Sequence, residues 1–216
     1  LETVLDAAGQ SRSVKLMHPN ALMQGFTIRG GHADRGAGVY LDGGGQVENC
    51  VVTDNVATEE GGGVYCNGGG TVRNTLVFRN SAALAGGISC VSGGTVESCT
   101  IAANAAADRA GGLSCDDGGT IINTIVYHNT ALNDPNLSNA GSGYAYDYCC
   151  TLPLVAIGQG NTADDPVFSD AAADNYRLAA GSPCVDAGLD QDWMTGTADL
   201  DGNPRSVAAA VDMGAY

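Results

Sequence analysis

The sequence predicts an all-β solenoid: a right-handed, single-stranded parallel β-helix with three short strands in each coil of about 24–25 residues, closed by an irregular C-terminal capping segment. Two observations carry that expectation. Four segments align on each other, GVYLDGGGQVENCVVTDN from Gly38, GVYCNGGGTVRNTLVFRN from Gly63, GISCVSGGTVESCTIAAN from Gly87 and GLSCDDGGTIINTIVYHN from Gly112, at spacings of 25, 24 and 25. Within each segment the apolar residues alternate with period two, the signature of strands and not of helices.

The elements follow in order. Val39/Leu41, Val64/Cys66, Ile88/Cys90 and Leu113/Cys115 form a first strand with Tyr40, Tyr65, Ser89 and Ser114 facing out. Gly44, Gly69, Gly93 and Gly118, each followed by a second glycine, mark a corner where the backbone needs positive φ. The pairs Gly62-Gly63, Gly86-Gly87 and Gly111-Gly112, just before the first strand, invite the same reading. A second strand carries Val47, Val72, Val96 and either Ile121 or Ile122; a third points Cys50/Val52, Thr75/Val77, Cys99/Ile101 and Thr124/Val126 inward. A fifth coil precedes these four, since Val14 lies 25 before Val39 and Gly25-Phe26-Thr27-Ile28 lies 24 before Asn49-Cys50-Val51-Val52. A leucine-rich repeat has similar length but requires the L-x-x-L-x-L frame, which is missing. The expected span of coils is 1–130, and 131–216, where the repeat fades, holds the last coil and the segment that packs on it.

Stacking at about 4.8 Å turns equivalent positions into columns. Asn49, Asn74, Ser98 and Asn123 form one, at the bend between the second and third strands, where buried amides would bond the next coil and the bent backbone. Asn55, Asn80, Asn104 and Asn129 form another with the same spacing. The varying length between Asn55 and Val64 and in the equivalent loops marks a tolerant, solvent-facing third turn. Glu48, Arg73 and Glu97 alternate in sign along the outer second strand, which favours this register.

Composition narrows function. Glycine is 32 of 216 residues, yet 44% of the chain is hydrophobic and the glycines recur at fixed positions, so this is no disordered linker. A net charge of −15 with Lys15 as the only lysine excludes nucleic acid as a partner. No apolar run would insert in a membrane, and the opening at Leu1 reads as a processed or trimmed piece whose export signal or anchor lies elsewhere. The eight cysteines, Cys50, Cys66, Cys90, Cys99, Cys115, Cys149, Cys150 and Cys184, include no C-x-x-C pair, which argues against zinc and leans toward an oxidising compartment. Cys66/Cys90/Cys115 stack as free core thiols, Cys50 and Cys99 are two coils apart and too far to bond, and Cys184 has Cys149 or Cys150 as its local partner.

Three further sets of residues carry site expectations. Asp199-Leu200-Asp201-Gly202-Asn203, with Asp190 and Asp192 near, looks like a calcium loop through Asp199, Asp201 and Asn203; the competing reading is an Asp-Gly turn, because no bidentate acid follows. Calcium is the one candidate cofactor, and none is required. Tyr40 and Tyr65 on the first strand, with Phe78 and Tyr127 on the third, would stack sugars if bare, or pack under a loop or the C-terminal segment if not. For catalysis the turn offers Asp42, Asn67, Asp116 and Asp117; Asp42 and Asp116, three coils apart, are about 14 Å from each other by the stacking rise, beyond the roughly 6.5–9.5 Å of an inverting pair. His18, His32 and His128 are scattered.

The strings Cys150-Thr151, Gly160-Asn161, Asp165-Pro166-Val167-Phe168, Tyr176-Arg177-Leu178, Gly181-Ser182-Pro183-Cys184-Val185-Asp186-Ala187-Gly188, Asp199 to Arg205 and Val211-Asp212-Met213-Gly214-Ala215-Tyr216, with Thr3-Val4-Leu5-Asp6 at the start, resemble bacterial choice-of-anchor Q domain proteins. These are right-handed β-helix repeat proteins of the pectate-lyase-like superfamily. The resemblance implies a secreted or cell-surface location and favours Cys150 as the disulfide partner of Cys184; it implies no reaction. The expected function is a non-catalytic surface module, structural, adhesive or glycan-contacting, with a polysaccharide or another surface protein as partner. The alternatives are a polysaccharide lyase or glycoside hydrolase, and a subunit that self-assembles into a filament through bare coil ends.

Overall fold

The computed structural model describes residues 3–205 and 210–216; residues 1–2 of the first predicted span and 206–209 within the second lie outside it. The chain winds as a parallel β-solenoid, and each full coil contributes to four sheets, not three. The first holds Val14–Leu16, Val39–Asp42, Val64–Asn67, Ile88–Val91, Leu113–Asp116 and Leu137–Ala140; the second Leu22–Gln24, Gln46–Glu48, Thr71–Arg73, Thr95–Glu97, Gly119–Ile122 and Tyr144–Asp147. The third holds Thr3–Asp6, Phe26–Arg29, Val51–Thr53, Leu76–Phe78, Thr100–Ala102, Ile125–Tyr127 and Cys150–Thr151. Pairing within these sheets is parallel and in register: Val64 lies between Val39 and Ile88, Val72 between Val47 and Val96, Val77 between Val52 and Ile101. Ile121, not Ile122, is the inward residue that continues the Val96 column.

The fourth sheet corrects the expectation of a loose third turn. His32–Arg35, Val56–Glu60, Ser81–Leu84 and Ala105–Arg109 pair with one another, with a register shift in each pair. These strands hid because their inward column is Ala33, Ala57, Ala82 and Ala106: alanine has little strand propensity, and the bulge breaks the alternation. The one-residue length variation is absorbed by that bulge. The repeat also runs further than position 130. A last coil, Leu137–Thr151, stacks on the one before it, Leu137 on Leu113 and Cys150 on Ile125. The sequence predicts a last coil beyond position 130 but hides its start, because Pro135-Asn136 stands where the earlier coils have Gly-Gly.

Inside, Val39, Leu41, Val64, Ile88, Val72, Val96, Ile101 and Leu113 are completely buried in one continuous core along the axis. Burying each such side chain contributes about 1.5–3 kcal/mol. At the corner after the first strand, Gly44, Gly69, Gly93 and Gly118 all have φ between 97° and 124°, as predicted. The Gly-Gly pairs before that strand serve a different purpose. Gly63 and Gly87 do not have positive φ; a Cβ on Gly63 would sit 2.7 Å from the Gly87 carbonyl oxygen and 3.0 Å from Asn80 Nδ2. Close approach, not conformation, demands glycine there.

That approach makes room for the inner asparagine column. Asn80 Nδ2 donates to Asn104 Oδ1 (3.0 Å), to its own coil at Phe78 O (3.0 Å) and to the preceding coil at Val52 O (2.9 Å), while Asn104 Oδ1 also accepts from Asn80 N (3.0 Å). Asn55, Asn104 and Asn129 repeat the pattern. Gly31 N–H starts the column by donating to Asn55 Oδ1, and the Asn136 side chain ends it, tied in turn to Leu152 O.

The outer column differs from expectation. Asn49, Asn74, Ser98 and Asn123 take φ of 45–50°, and only Asn74 bonds its neighbour, donating to Asn49 Oδ1. Continuity at this corner comes instead from the next residues inward, Cys50, Thr75, Cys99, Thr124 and Cys149, all fully buried. Cys99 Sγ donates to Glu97 O and Val72 O, and Thr124 Oγ1 donates to Ile122 O and accepts from Cys99 N. The outer asparagines face the returning C-terminal segment: Asn74 Nδ2 donates to Ala198 O, and Asn123 exchanges hydrogen bonds with Leu189 N and O.

That segment first crosses the end of the core, with Val155 packed onto it and Asn161 accepting from Cys149 N. It then runs back as a strap over the outside of the third sheet. Phe168–Asp170 and Asn175–Leu178 form a small antiparallel ribbon whose Phe168 and Tyr176 cover Phe78. Asn80→Ala should lower the unfolding free energy by roughly 2–4 kcal/mol, since it strands several buried groups, whereas Asn49→Ala, half-exposed with one partner, should cost under about 1 kcal/mol; urea denaturation of both variants checks the ranking.

Candidate functional site

The outside of the first sheet carries the column Lys15, Tyr40, Tyr65, Ser89, Ser114 and Ser138. It is not an open aromatic platform. The turn that leads out of the fourth sheet folds against it: Tyr65, Ser89 and Ser114 are buried, and Ser89 Oγ donates to Glu60 Oε1 at 2.7 Å. Tyr40 is half-buried, 5.1 Å from the Tyr65 ring, and cations occupy its face: Arg12 Cζ is 4.8 Å and Lys15 Nζ 5.0 Å from its centroid, with Arg35 Cζ 5.8 Å from that of Tyr65. Each cation also has a carboxylate, Arg12 with Asp34, Lys15 with Asp42 and Arg35 with Glu59, at 2.9–3.0 Å.

Phe78 and Tyr127 are corrected too. Both are 8% exposed, because the strap covers them: Phe78 packs on Tyr176 at 5.5 Å, and Tyr127 Oη donates to Ala163 O. An outward aromatic on the third sheet is apolar surface awaiting the strap, so neither ring is free to stack on a sugar.

Asp199, Asp201 and Asn203 come together as a turn. Asp199 Oδ1 accepts from Asp201 N (2.8 Å) and Asn203 N (2.9 Å), its Oδ2 accepts from Asn203 Nδ2, and Asp201 is clasped by the Arg177 guanidinium, Nε at 2.6 Å. Arg177 also lies over the Tyr216 ring, so the loop is fastened to the strap. A cation seated there would have to displace the guanidinium and the turn's own N–H donors. Among the described residues no group of three or more His, Cys, Asp or Glu is disposed to hold a metal.

Carboxylates elsewhere on the coils are likewise engaged. Arg29 pairs with Asp6 at 2.9 Å, Arg79 with Asp54 at 2.9 Å, and Arg73 with the buried Glu97, Nε at 2.6 Å. Trp193 seals the last pair: its indole N–H donates to Glu97 Oε2, and Arg73 Cζ lies 4.3 Å from its ring centre. Asp42 accepts from Asn67 Nδ2, so two of the turn's candidate residues are hydrogen-bonded to each other, and Asp116 accepts from Ser114 Oγ. Hydrogen bonding holds four carboxyls below their ordinary range: Asp6 by Ala8 N–H and Arg29, Asp34 by Arg35 N–H, Asp42 by Lys15 and Asn67, and Asp201 by Arg177. His18 and His32 are exposed and distant in the fold from His128, which lies 3.8 Å from Asp165 beside Tyr127 and Phe168.

The cysteines divide by the face they occupy. Cys66, Cys90 and Cys115 stack in register in the core as free thiols, and Tyr146 Oη, which donates to Asn139 Oδ1 at 2.7 Å, closes the end of their column. Burial pushes Cys99 and Cys149 up to about 12. Cys150 and Cys184 are both free thiols as well, placed together under the strap with Ile125, Tyr127 and Met213. Sequence reasoning missed Trp193 and the Arg73–Glu97 pair as strap anchors; the sign alternation at Glu48, Arg73 and Glu97 was visible, but its indole partner lies 96 positions from Glu97.

With this geometry in place, the comparison with known families is decisive for the fold. A family described as the right handed beta helix region matches residues 15–164. The chain belongs to the right-handed β-helix family. The match begins in the first coil and finishes in the segment that crosses the core end, leaving the returning strap outside it. No curated protein and no solved structure matches the chain.

Because the thiols at Cys99 and Cys149 have folded values near 12, against about 8.5 for a free thiol, their ionisation favours the unfolded chain above roughly pH 9. Stability should be intact below that pH and fall as pH rises toward 12; the four depressed carboxyls add a loss at the acid end, below about pH 4. Circular dichroism melts across pH 3–11 check both limbs, and a midpoint that climbs from pH 8 to 10 would contradict the thiol assignment.

Proposed function

We propose that the chain is a non-catalytic module of a secreted or cell-surface bacterial protein, a rigid spacer whose corner at Arg12, Lys15, Arg35 and Tyr40 contacts acidic glycans. The observation that carries the non-catalytic part is the state of the carboxylates. Glycosidic cleavage by paired acids needs one carboxyl held protonated by a raised pKa; Asp6, Asp34, Asp42 and Asp201 all move down, each toward a permanent ion pair or hydrogen-bonded turn. A lyase base needs an accessible cation able to shed its proton; Arg35, Arg79 and Arg177 are held more firmly protonated by Tyr65 and Glu59, by Asp54 and by Asp201, and Arg205, which burial moves the other way, lies inside the fold bonded to Gly214 O and Tyr216 O.

The glycan part rests on the cations over Tyr40 and Tyr65. Each of these cations is shared with a carboxylate, Asp34, Asp42 or Glu59, so the corner is a set of ion pairs over two aromatic faces, and a uronate or sulfate on a sugar chain would bind by taking a carboxylate's place. The self-assembly reading receives less support, because the chain's own residues 152–164 lie across one coil end. No helix among the described residues is long and apolar enough to cross a membrane.

A glycan array with and without calcium, run beside size-exclusion chromatography, tests the proposal. Binding confined to acidic glycans, unchanged by calcium and reduced about tenfold in a Lys15→Ala, Arg12→Ala double variant, is the expected result. Release of reducing ends or unsaturated sugars from any arrayed polysaccharide contradicts it.

A further inference from the structure

The two cysteines at the seam between solenoid and strap have a chemistry that the core thiols do not share. Strand alternation decides which of the adjacent Cys149 and Cys150 is available: Cys149 points into the axis, donating to Ile121 O and Asp147 O, while Cys150 points outward from the last strand of the third sheet. Cys184 arrives on the strap, its backbone fixed on both sides. Cys184 N donates to Ser182 Oγ, Ser182 Oγ donates to Pro166 O, and Cys184 O accepts from Met213 N. The two side chains meet inside the apolar cluster of Ile125, Tyr127 and Met213, thiol against thiol.

We propose that Cys150 and Cys184 are a disulfide-forming pair that clamps the strap to the last coil, while the six other cysteines remain thiols. The surroundings supply the asymmetry such a reaction needs. Cys150 Sγ donates to Asp164 O at 3.2 Å, which ties up its proton, while the neighbouring Cys150 sulfur and the Ser182 hydroxyl lower Cys184, so Cys184 is the attacking group. With a small disulfide such as oxidised glutathione as oxidant, the Cys184 thiolate attacks one of its sulfurs and expels a glutathione thiolate. The Cys150 sulfur then displaces the second glutathione from the mixed disulfide, losing its proton. Two protein thiols are oxidised, one glutathione disulfide is reduced to two thiols, and two protons pass to the expelled thiolates. Both cysteines are buried, so the oxidant enters only when the strap lifts, and closure then prevents it from lifting again.

The clamp would matter because the strap's other anchors are non-covalent and at separated points, among them Phe168 and Tyr176 on Phe78, Leu189 on Asn123, Trp193 on Glu97 and Ala198 on Asn74. A bond at Cys184 lies between the first of these and the rest. It closes the chain that crosses the core end into a covalent loop, which restricts the unfolded chain and resists opening of the strap. This inference does not depend on the glycan reading.

The test is to incubate the folded chain in a glutathione redox buffer, trap free thiols by alkylation, denature and map the peptides. The expected result is six alkylated cysteines, a peptide pair joined through Cys150 and Cys184, and a Tm higher by roughly 5–15 °C than that of the fully reduced chain. Cys184→Ser should abolish both the link and the redox dependence of Tm, and Asn123→Ala, which loosens the strap, should speed oxidation while leaving the link unchanged. Recovery of all eight thiols, or a link through any of Cys66, Cys90 or Cys115, overturns the proposal; the wild-type peptide map distinguishes these outcomes even if the variants fail to fold.

Discussion

Every coil of this chain must make sharp bends, and a bend removes backbone groups from the strand ladders while keeping them buried. The rest of the structure depends on how those groups are paired. At the bend after the third sheet the solution is a column of primary amides: each asparagine bonds its own coil, the coil before it and the amide of the coil after it. At the bend before the third sheet, thiols and hydroxyls alternate in the same role, Cys50, Thr75, Cys99, Thr124 and Cys149. A side chain that bonds only its own turn would stabilise a single bend; one that also bonds the neighbouring coils fixes the register of the stack. Glycine at positions 63 and 87 follows from the same constraint, because a Cβ there would run into the carbonyl of the next coil and the amide column.

From that register the surface follows. Side chains pointing out of the first sheet lie against the turn leading from the fourth, so tyrosine and serine are partly or wholly covered and the cations Arg12, Lys15 and Arg35 collect over the rings. Most side chains pointing out of the third sheet's later strands are apolar, Leu76, Phe78, Ala102, Ile125 and Tyr127, and the strap buries that stripe. The outer asparagines beside the stripe, with no full partner in their own column, become the docking points for the strap backbone. The same side of the molecule therefore holds the strap, its anchors and the Cys150/Cys184 seam.

Much of this was legible in the sequence, for a definable reason. Repetition at 25, 24 and 25 reports which residues share a column, and period two reports which of them face inward, so the first three sheets, the core cysteines and both asparagine columns could be placed by position alone. Four things were not legible. The fourth sheet has an alanine lining and a bulge, which erase the apolar alternation that reveals a strand. The outer and inner columns are both rich in asparagine and share one spacing, while what separates them, the cross-coil amide bonds of the inner column and the strap contacts of the outer, does not show in that spacing. The aromatic rings looked exposed because a period-two pattern says which face a side chain leaves from and nothing about what later covers it. For the turn at Asp199, the pattern Asp-x-Asp-Gly is common to cation loops and Asx turns, and the guanidinium that takes up Asp201 comes from 24 positions away.

The most direct measurement of the amide-column account is hydrogen exchange at the side-chain amides of Asn55, Asn80, Asn104 and Asn129, followed by NMR beside the backbone amides of Val64, Val72 and Val77. If the column is what holds adjacent coils in register, these Nδ2 protons exchange only through global unfolding, at the same slow rate as the core backbone, while those of the half-exposed Asn49 exchange far faster. Inner amides that exchange as quickly as Asn49 would show that the coils are held in register by the strand ladders and apolar core alone, and the central role given to the column would be wrong.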